Sequence, residues 1–203
     1  MIKNLIFDFG DVFINLDKEG AMNNALQLFK LNEFPNALFE TNHLYEQGLI
    51  STDEFLAFYQ KRFPWLSKTE IIDAWNYILK DFPLHRLEFI QRLASNKTYK
   101  LILLSNTNHL HIDWIKNNVP FYNTFKNCFD DFYLSQDIQM RKPNKDIYEF
   151  VLTNSTINPN ETLFIDDTPE NTLAASRLGI HVWNIDPFKE DVTTLFTTKN
   201  QLF

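Results

Sequence analysis

The segment IFDFGDV, residues 6–12, decides the fold, because in it an apolar strand runs directly into a carboxylate and a glycine. Three more segments follow along the chain: LLSNT at 103–107, MRKP at 140–143 and FIDDTPEN at 164–171. The first, second and fourth segments each end an apolar run of the kind found in buried strands. Ligands of open α/β sheets bind beyond the carboxyl ends of the strands. Because burying a carboxylate is costly, several carboxylates at strand ends indicate a functional site.

The composition limits the classes of partner. The chain has 203 residues, enough for one large or two small domains, and 44% of them are hydrophobic. Its formal net charge of −7 argues against nucleic acid as a partner. The single cysteine, Cys128, excludes an intrachain disulfide framework and a cysteine-rich zinc site, and it favours a reducing compartment.

The N-terminal segment and the hydropathy of the chain bear on localisation. The opening run MIKNLIFDFG meets a charge at Asp8, which is unlike a signal peptide. The chain has no stretch of about 18 consecutive apolar residues, the length that predicts a membrane span. We therefore expect a cytoplasmic protein without a membrane partner. The sequence leaves the oligomeric state open.

The pattern from residue 85 onward alternates between strand-like and helix-like segments. Together with the N-terminal run, it predicts strands at 2–7, 100–104, near 129–134, 162–166 and 180–185. Strands that alternate with helices indicate an α/β fold with a doubly wound parallel sheet.

Residues 15–84 lack a buried-strand signal and carry helical patterns instead. Ser51 and Glu54 have the spacing of a capping box at the start of one such pattern. We predict that this stretch forms a separate α-helical cap bundle. The α/β core is then predicted at 1–14 and 85–203, with the cap inserted after the first strand.

The order of four motifs resembles a known family. Asp8, Ser105, Lys142 and the pair Asp166-Asp167 follow one another as in the haloacid dehalogenase-like (HAD-like) hydrolase superfamily, most of whose members are Mg²⁺-dependent phosphatases. The resemblance covers the whole chain, including an inserted helical cap on a Rossmann-like core. Within the superfamily, SNTNHLH and YLSQDIQMRKPNKDIY resemble the branch that contains bacterial α-D-glucose-1-phosphate phosphatases. The resemblance implies a phosphatase of small phosphorylated metabolites, sugar phosphates above all.

The resemblance also implies a role for each catalytic residue. Asp8 would be the nucleophile and would carry the phosphoryl group as an aspartyl-phosphate. Two anions about 4 Å apart repel by about 4 kcal/mol at an effective dielectric constant of 20, so cations are required. Lys142 would neutralise the nucleophile and bind a phosphoryl oxygen. Ser105 and Asn106 would bind the phosphate through a hydroxyl and backbone N–H groups.

The same resemblance implies a magnesium site. Its ligands would be the Asp8 carboxylate, the Gly10 carbonyl oxygen and the Asp167 carboxylate, since Mg²⁺ prefers oxygen ligands. Asp166 would support the site without ligating the metal directly, and Asn171 would orient the loop. Without the metal, the negative charges of three aspartates and a phosphate would exceed what Lys142 can offset.

One position departs from the family pattern. Family phosphatases usually carry an aspartate two residues after the nucleophile, which protonates the leaving oxygen, whereas this chain has Gly10 there. Asp11 stands one residue later and is expected to point elsewhere. Without that acid, good leaving groups such as the anomeric oxygen of a sugar 1-phosphate are favoured.

Two other functions fit the motifs. A haloacid dehalogenase would use Asp8 to attack carbon and would need no metal. A catalytically inactive protein that binds phosphorylated metabolites is the second alternative, and Gly10 motivates it. Metal dependence tests the first alternative, and turnover on a phosphoester panel tests the second.

Overall fold

The computed structural model describes all 203 residues and contains one five-stranded sheet. Its strands are β1 (Asn4–Phe7), β2 (Lys100–Ser105), β3 (Asp131–Leu134), β4 (Thr162–Asp166) and β5 (His181–Asn184). The strand order is β3-β2-β1-β4-β5, and every neighbouring pair is parallel. The predicted α/β fold with a parallel sheet is therefore confirmed.

Both faces of this sheet are buried, which explains why its strands are continuously apolar. Alternate residues of β1 enter different cores: Leu5 and Phe7 belong to a cluster of 27 buried residues, and Ile6 belongs to a cluster of nine on the other face. The two clusters correspond to the two layers of helices that a doubly wound sheet requires.

Eleven helices connect and cover the strands. Between β1 and β2 lie α1 (Lys18–Phe29), α2 (Asn36–Glu46), α3 (Thr52–Arg62), α4 (Lys68–Asn76) and α5 (Leu84–Asn96). The later helices are α6 (His109–Asn118), α7 (Tyr122–Lys126), α8 (Ser135–Ile138), α9 (Lys145–Asn154), α10 (Pro169–Ser176) and α11 (Leu195–Thr198). None of these helices is long and apolar enough to cross a membrane.

Helices α1–α4 enclose a hydrophobic cluster of their own, made of ten buried residues between Phe29 and Ala74. The expected capping box at the start of α3 is present, since Ser51 and Glu54 exchange hydrogen bonds. The two chain segments that join these helices to the sheet run side by side, with an antiparallel bridge between Leu16 and Leu79. The cap bounds at residues 15 and 84 stay a prediction.

The helices that the sequence did not predict are the short ones. Helices α7, α8 and α11 have five, four and four residues, so none is long enough to display a helical period. The strands also differ slightly from expectation: β1 begins at Asn4 rather than at residue 2.

Candidate active site

The ends of the three central strands bring the predicted site residues together. Phe7 of β1 is aligned with Leu103 of β2 and Ile165 of β4, so Asp8 leaves the sheet beside the ends of both neighbours. The Asp8 backbone N–H donates to the Ile165 carbonyl oxygen at 2.9 Å, which fixes the start of the loop. Ser105 and Asp166 are the last residues of β2 and β4.

Lys142 lies at the centre of the site with its side chain fully buried. Its ammonium donates to Asp8 Oδ1 at 2.8 Å, to Asp166 Oδ2 at 2.6 Å and to the Leu104 carbonyl oxygen at 2.9 Å. Burial alone would lower the pKa of Lys142, but the charges of Asp166 and Asp8 outweigh it and raise the pKa. The lysine is therefore a permanent cation between two carboxylates.

Asp166 is fully buried, and protein donors occupy both of its oxygens. Oδ1 accepts from the Thr168 backbone N–H at 2.8 Å and from Asn171 Nδ2 at 3.0 Å, while Oδ2 accepts from Lys142 and Asn171. Thr168 and Pro169 begin α10, as the sequence indicates. This bonding suits a carboxylate that positions Lys142 and the loop, and it leaves little room for a metal.

The surroundings of Asp8 disfavour its ionised form. Burial raises its pKa to about 7, because the nearby charges of Asp166 and Asp167 add to the desolvation and Lys142 only partly offsets them. Oxygens of Asp8, Asp166 and Asp167 lie within 4.8 Å of one another. A divalent cation held by oxygens of Asp8 and Asp167, with Asp166 beside it, fits this cluster. The Gly10 carbonyl oxygen accepts no hydrogen bond from the protein, so it is available as a further ligand.

Asp167 contacts a residue that the motifs did not identify. Its Oδ2 accepts from the ammonium of Lys18 at 2.5 Å, and Lys18 is also 2.8 Å from Asp11 Oδ2. Burial raises the pKa of Asp167, and Lys18 offsets part of that rise. Lys18 is the first residue of α1, so the cap supplies a cation to the predicted metal site.

Ser105 and Asn106 occupy the loop beyond β2. Ser105 is buried, and its hydroxyl has one long contact, 3.4 Å to the Asn106 carbonyl oxygen. The Asn106 carboxamide binds the Lys142 backbone twice, donating to its carbonyl oxygen and accepting from its N–H, both at 2.9 Å. Its side chain therefore holds Lys142 in place with its oxygen and one of its two amide hydrogens.

Asp11 does not replace the acid that is absent at Gly10. It has a positive φ of 54°, and its Oδ1 accepts from the Leu16 backbone N–H at 2.9 Å while Oδ2 pairs with Lys18. Its side chain lines a neighbouring cavity and not the one that contains Asp8. The expectation that Asp11 points elsewhere agrees with these contacts.

A cavity of about 430 Å³ contains Asp8, Ser105, Lys142 and Asp167, and as the candidate site of catalysis we refer to it below as the catalytic cavity. Four charged residues of its wall were not predicted from the sequence: Lys18, Glu46, Arg141 and Glu170. Glu46, the last residue of α2, accepts from Arg141 Nη2 at 3.2 Å and from Nε at 3.3 Å. Burial raises the pKa of Glu46, and Arg141 opposes the rise. Arg141 lies in the quoted motif MRKP and Glu170 in FIDDTPEN, and this was the only available signal.

His111 closes the cavity wall where the cap meets the core. Its Nδ1 is 3.1 Å from Asn108 Nδ2 and its Nε2 is 3.1 Å from the Trp75 carbonyl oxygen, so both ring nitrogens are engaged. The ring stacks on Trp75 at a centroid distance of 5.4 Å. Burial lowers the pKa of His111 to about 4, which keeps the ring neutral. These contacts connect α4 of the cap with α6 of the core.

Known proteins are similar to this chain in sequence. Residues 2–179 match the family model described as haloacid dehalogenase-like hydrolase. The D-ribitol-5-phosphate phosphatase of Bacteroides thetaiotaomicron is 28% identical over 217 residues, which cover 98% of this chain and 100% of that protein.

Solved structures resemble the chain over its whole length. A HAD family enzyme of Bacteroides thetaiotaomicron in complex with magnesium and inorganic phosphate has a TM-score of 0.81 at 34% identity, covering 97% of this chain and 100% of that one. A HAD-like family hydrolase of Porphyromonas gingivalis has a TM-score of 0.84 at 31% identity, covering 98% and 97%. The predicted family is confirmed: the chain belongs to the haloacid dehalogenase-like hydrolases.

Proposed function

We propose that this hydrolase is a Mg²⁺-dependent phosphatase that hydrolyses small phosphate monoesters, sugar or polyol phosphates in particular, through an aspartyl-phosphate on Asp8. The observation that carries the proposal is the buried Lys142, whose ammonium lies 2.8 Å from Asp8 and 2.6 Å from Asp166 beside a third carboxylate, Asp167. Such a cluster of anions around one cation suits a dianionic phosphate only when a metal ion adds further positive charge.

In the proposed reaction the Asp8 carboxylate attacks phosphorus. The bond between phosphorus and the ester oxygen breaks, and that oxygen takes up a proton from solvent to leave as the alcohol; the water that attacks in the second step returns a proton to solvent. Water then attacks the phosphorus of the aspartyl-phosphate, which releases inorganic phosphate and restores Asp8. Splitting the hydrolysis in this way replaces one very slow displacement by two faster ones.

The surrounding residues hold the reacting groups in place. Lys142 favours the ionised form of Asp8 and stabilises a phosphoryl oxygen, while the Ser105 hydroxyl and the Asn106 backbone N–H bind the others. Asp166 and Asn171 keep Lys142 and the following loop in position.

Asp8, Asp167 and the Gly10 carbonyl oxygen would hold Mg²⁺. When bound, the ion supplies positive charge against the phosphoryl oxygens and offsets the repulsion between them and the carboxylates. Crystals of a relative at 34% identity hold magnesium and inorganic phosphate together, which supports this part of the proposal.

The cavity and the relatives support a sugar or polyol phosphate as substrate. Glu46 and Arg141 line the catalytic cavity as a charged pair, and such groups hydrogen-bond well to hydroxyl groups. A relative that covers the whole chain is named for D-ribitol 5-phosphate. The motifs around Ser105 and Lys142 resemble enzymes of glucose 1-phosphate. These two compounds belong in the first substrate panel.

The test is phosphate release from that panel, measured with Mg²⁺ and after chelation, for the native protein and for Asp8→Asn. We expect turnover that requires Mg²⁺ and that falls by about a thousandfold or more in Asp8→Asn, because an amide cannot form the covalent intermediate. Asp73→Asn, an exposed aspartate of α4, is the control and should keep full activity.

Three outcomes would contradict the proposal. Activity of Asp8→Asn within tenfold of native would remove Asp8 as nucleophile. Metal-independent release of halide from a haloacid would identify a dehalogenase. Binding of phosphorylated compounds without any turnover would identify an inactive binding protein.

A further inference from the structure

The cap contains a second cavity, of about 280 Å³, between helices α1, α2, α3 and α4. Twelve of its 16 lining residues are hydrophobic. Aromatic rings form much of the wall, among them those of Phe29, Phe34, Phe55 and Trp75. We refer to it below as the cap cavity. A mostly apolar concave surface of this size is typical of a small-molecule site.

The cap cavity adjoins the catalytic cavity. Lys18, Glu46, Ile78 and His111 line both, so these four residues form the boundary between the two cavities. The charged residues of the cap cavity, Lys18 and Glu46, are both among the four. The apolar surface therefore begins where the polar catalytic cavity ends.

Most polar groups deeper in the cap cavity are already engaged within the protein, the exception being the amide nitrogen of Asn42. The Tyr59 hydroxyl donates to Asn42 Oδ1 at 2.7 Å, and the Trp75 indole N–H donates to Asn108 Oδ1 at 3.1 Å. Both ring nitrogens of His111 are also taken. The hydroxyl groups of a sugar placed here would lose their bonds to water and find few replacements. An apolar group has no hydrogen bonds to lose, and its transfer from water into the cavity is favourable.

We propose that the cap cavity receives the apolar part of a further class of substrates, the phosphate monoesters of apolar alcohols, while their phosphoryl group lies at Asp8. This inference rests on the proposed phosphatase function of the Asp8 site. It adds a substrate class that the charged pair of Glu46 and Arg141 does not select. The selectivity comes from burial of hydrocarbon, which should raise kcat/KM about fourfold for each methylene group that enters the cavity.

The experiment measures kcat/KM of the complete protein with Mg²⁺ for straight-chain alkyl phosphates from methyl to octyl, beside ribitol 5-phosphate. The alcohols of this series have nearly the same pKa, so the chemical step is constant and the series isolates the apolar contact. We expect kcat/KM to rise by about two- to fourfold per methylene and to level off when the cavity is full.

The outcomes separate this inference from the proposed function. A flat alkyl series with turnover of ribitol 5-phosphate or another polar ester would overturn the inference and leave the phosphatase intact. No turnover of any ester would overturn both. A rising series supports both.

A pair of variants places the effect in the cap cavity. Ala21 lines it on α1 but does not line the catalytic cavity, so Ala21→Trp fills it. We expect this variant to lose at least about tenfold in kcat/KM for octyl phosphate and to keep the native value for methyl phosphate. Ala57→Trp, on the exposed face of α3, is the matched control and should match the native protein on both.

Circular dichroism and thermal unfolding would check that both variants fold. An octyl preference that survives in a folded Ala21→Trp would overturn the placement in the cap cavity. So would an equal loss on methyl and octyl phosphate. If Ala21→Trp does not fold, the alkyl series on the native protein still decides the inference.

Discussion

The ammonium of Lys18 lies 2.5 Å from Asp167 Oδ2 and so connects the first helix of the cap with the proposed magnesium site. The same ammonium lies 2.8 Å from Asp11 Oδ2. Burial alone would lower the pKa of Lys18, but hydrogen bonds and charges from Asp11 and Asp167 raise it, so the side chain stays charged. A lysine and a metal ion at one carboxylate compete for its oxygens and repel each other.

The first prediction follows from this competition. Lys18→Ala should tighten Mg²⁺ binding about fivefold, which corresponds to about 1 kcal/mol, the upper range for a half-exposed ion pair. Isothermal titration calorimetry with MgCl₂ measures it. Lys80→Ala is the matched control, because Lys80 forms a comparable pair with Asp17, 3.4 Å away, and does not contact Asp167. Weaker Mg²⁺ binding in Lys18→Ala alone would mean that the lysine assists the metal site.

The second prediction separates the roles of Asp166 and Asp167. Asp167→Asn should weaken Mg²⁺ binding strongly and change the free energy of unfolding by less than about 1 kcal/mol, since its partner Lys18 is half exposed. Asp166→Asn should instead destabilise the protein by about 3 kcal/mol or more, because it removes one of two carboxylates that neutralise the fully buried Lys142.

Urea unfolding and calorimetry with Mg²⁺ on both variants check this pair of expectations. The reverse order, with Mg²⁺ affinity lost mainly in Asp166→Asn, would move the proposed ligand by one residue.

The motif residues could be predicted from the sequence because parallel strands impose their geometry. Asp8, Ser105 and Asp166 each end an apolar run, and runs that pair side by side must place their ends at one edge of the sheet. The position of each motif at a strand end therefore predicts that the motifs meet in space, even though about ninety residues separate the first two.

The wall of the catalytic cavity could not be predicted in this way. Lys18 and Glu46 stand at the beginning of α1 and the end of α2, and their direction depends on how the cap packs on the core. Periodicity reveals which face of a helix is apolar but not where its ends point. Arg141 lies on a loop, where the backbone has no period that fixes the direction of a side chain.

The third prediction concerns stability and pH. Burial lowers the pKa of His111 from 6.5 to about 4, so between these values the unfolded chain binds a proton that the folded protein does not. Neutral His111 therefore makes its full contribution to the free energy of unfolding above about pH 6.5. As the pH falls toward 4, the free energy of unfolding decreases on this account by at most about 3 kcal/mol.

His111→Gln isolates this effect. Carboxylates also titrate in the same range, so the relevant quantity is the difference between the native and variant free energies of unfolding, measured with urea from pH 7 to pH 4. We expect the two curves to converge as the pH falls. Parallel curves would mean that His111 accepts a proton without cost in the folded protein.

The fourth prediction concerns Gly10, where the chain lacks the acid usual in this family. Asp11 is engaged with Leu16 and Lys18, so no neighbouring carboxylate of this loop protonates the leaving oxygen. The native enzyme should therefore depend steeply on the pKa of the leaving alcohol, with activated esters and anomeric phosphates hydrolysed faster than alkyl phosphates.

Gly10→Asp should restore the acid and flatten this dependence. The backbone at Gly10 does not have a positive φ, so an aspartate is compatible with it. A Cβ there would lie 2.7 Å from Leu16 Cδ1, the end of a flexible side chain, and Leu16→Ala in the same protein relieves the contact. The measurement is log kcat/KM against leaving-group pKa for the native protein, Leu16→Ala and the double variant, with folding checked by circular dichroism. A flat native profile would mean that another group already supplies the proton. Glu46, the carboxylate that the cap adds to the cavity, is the first residue to test for that role.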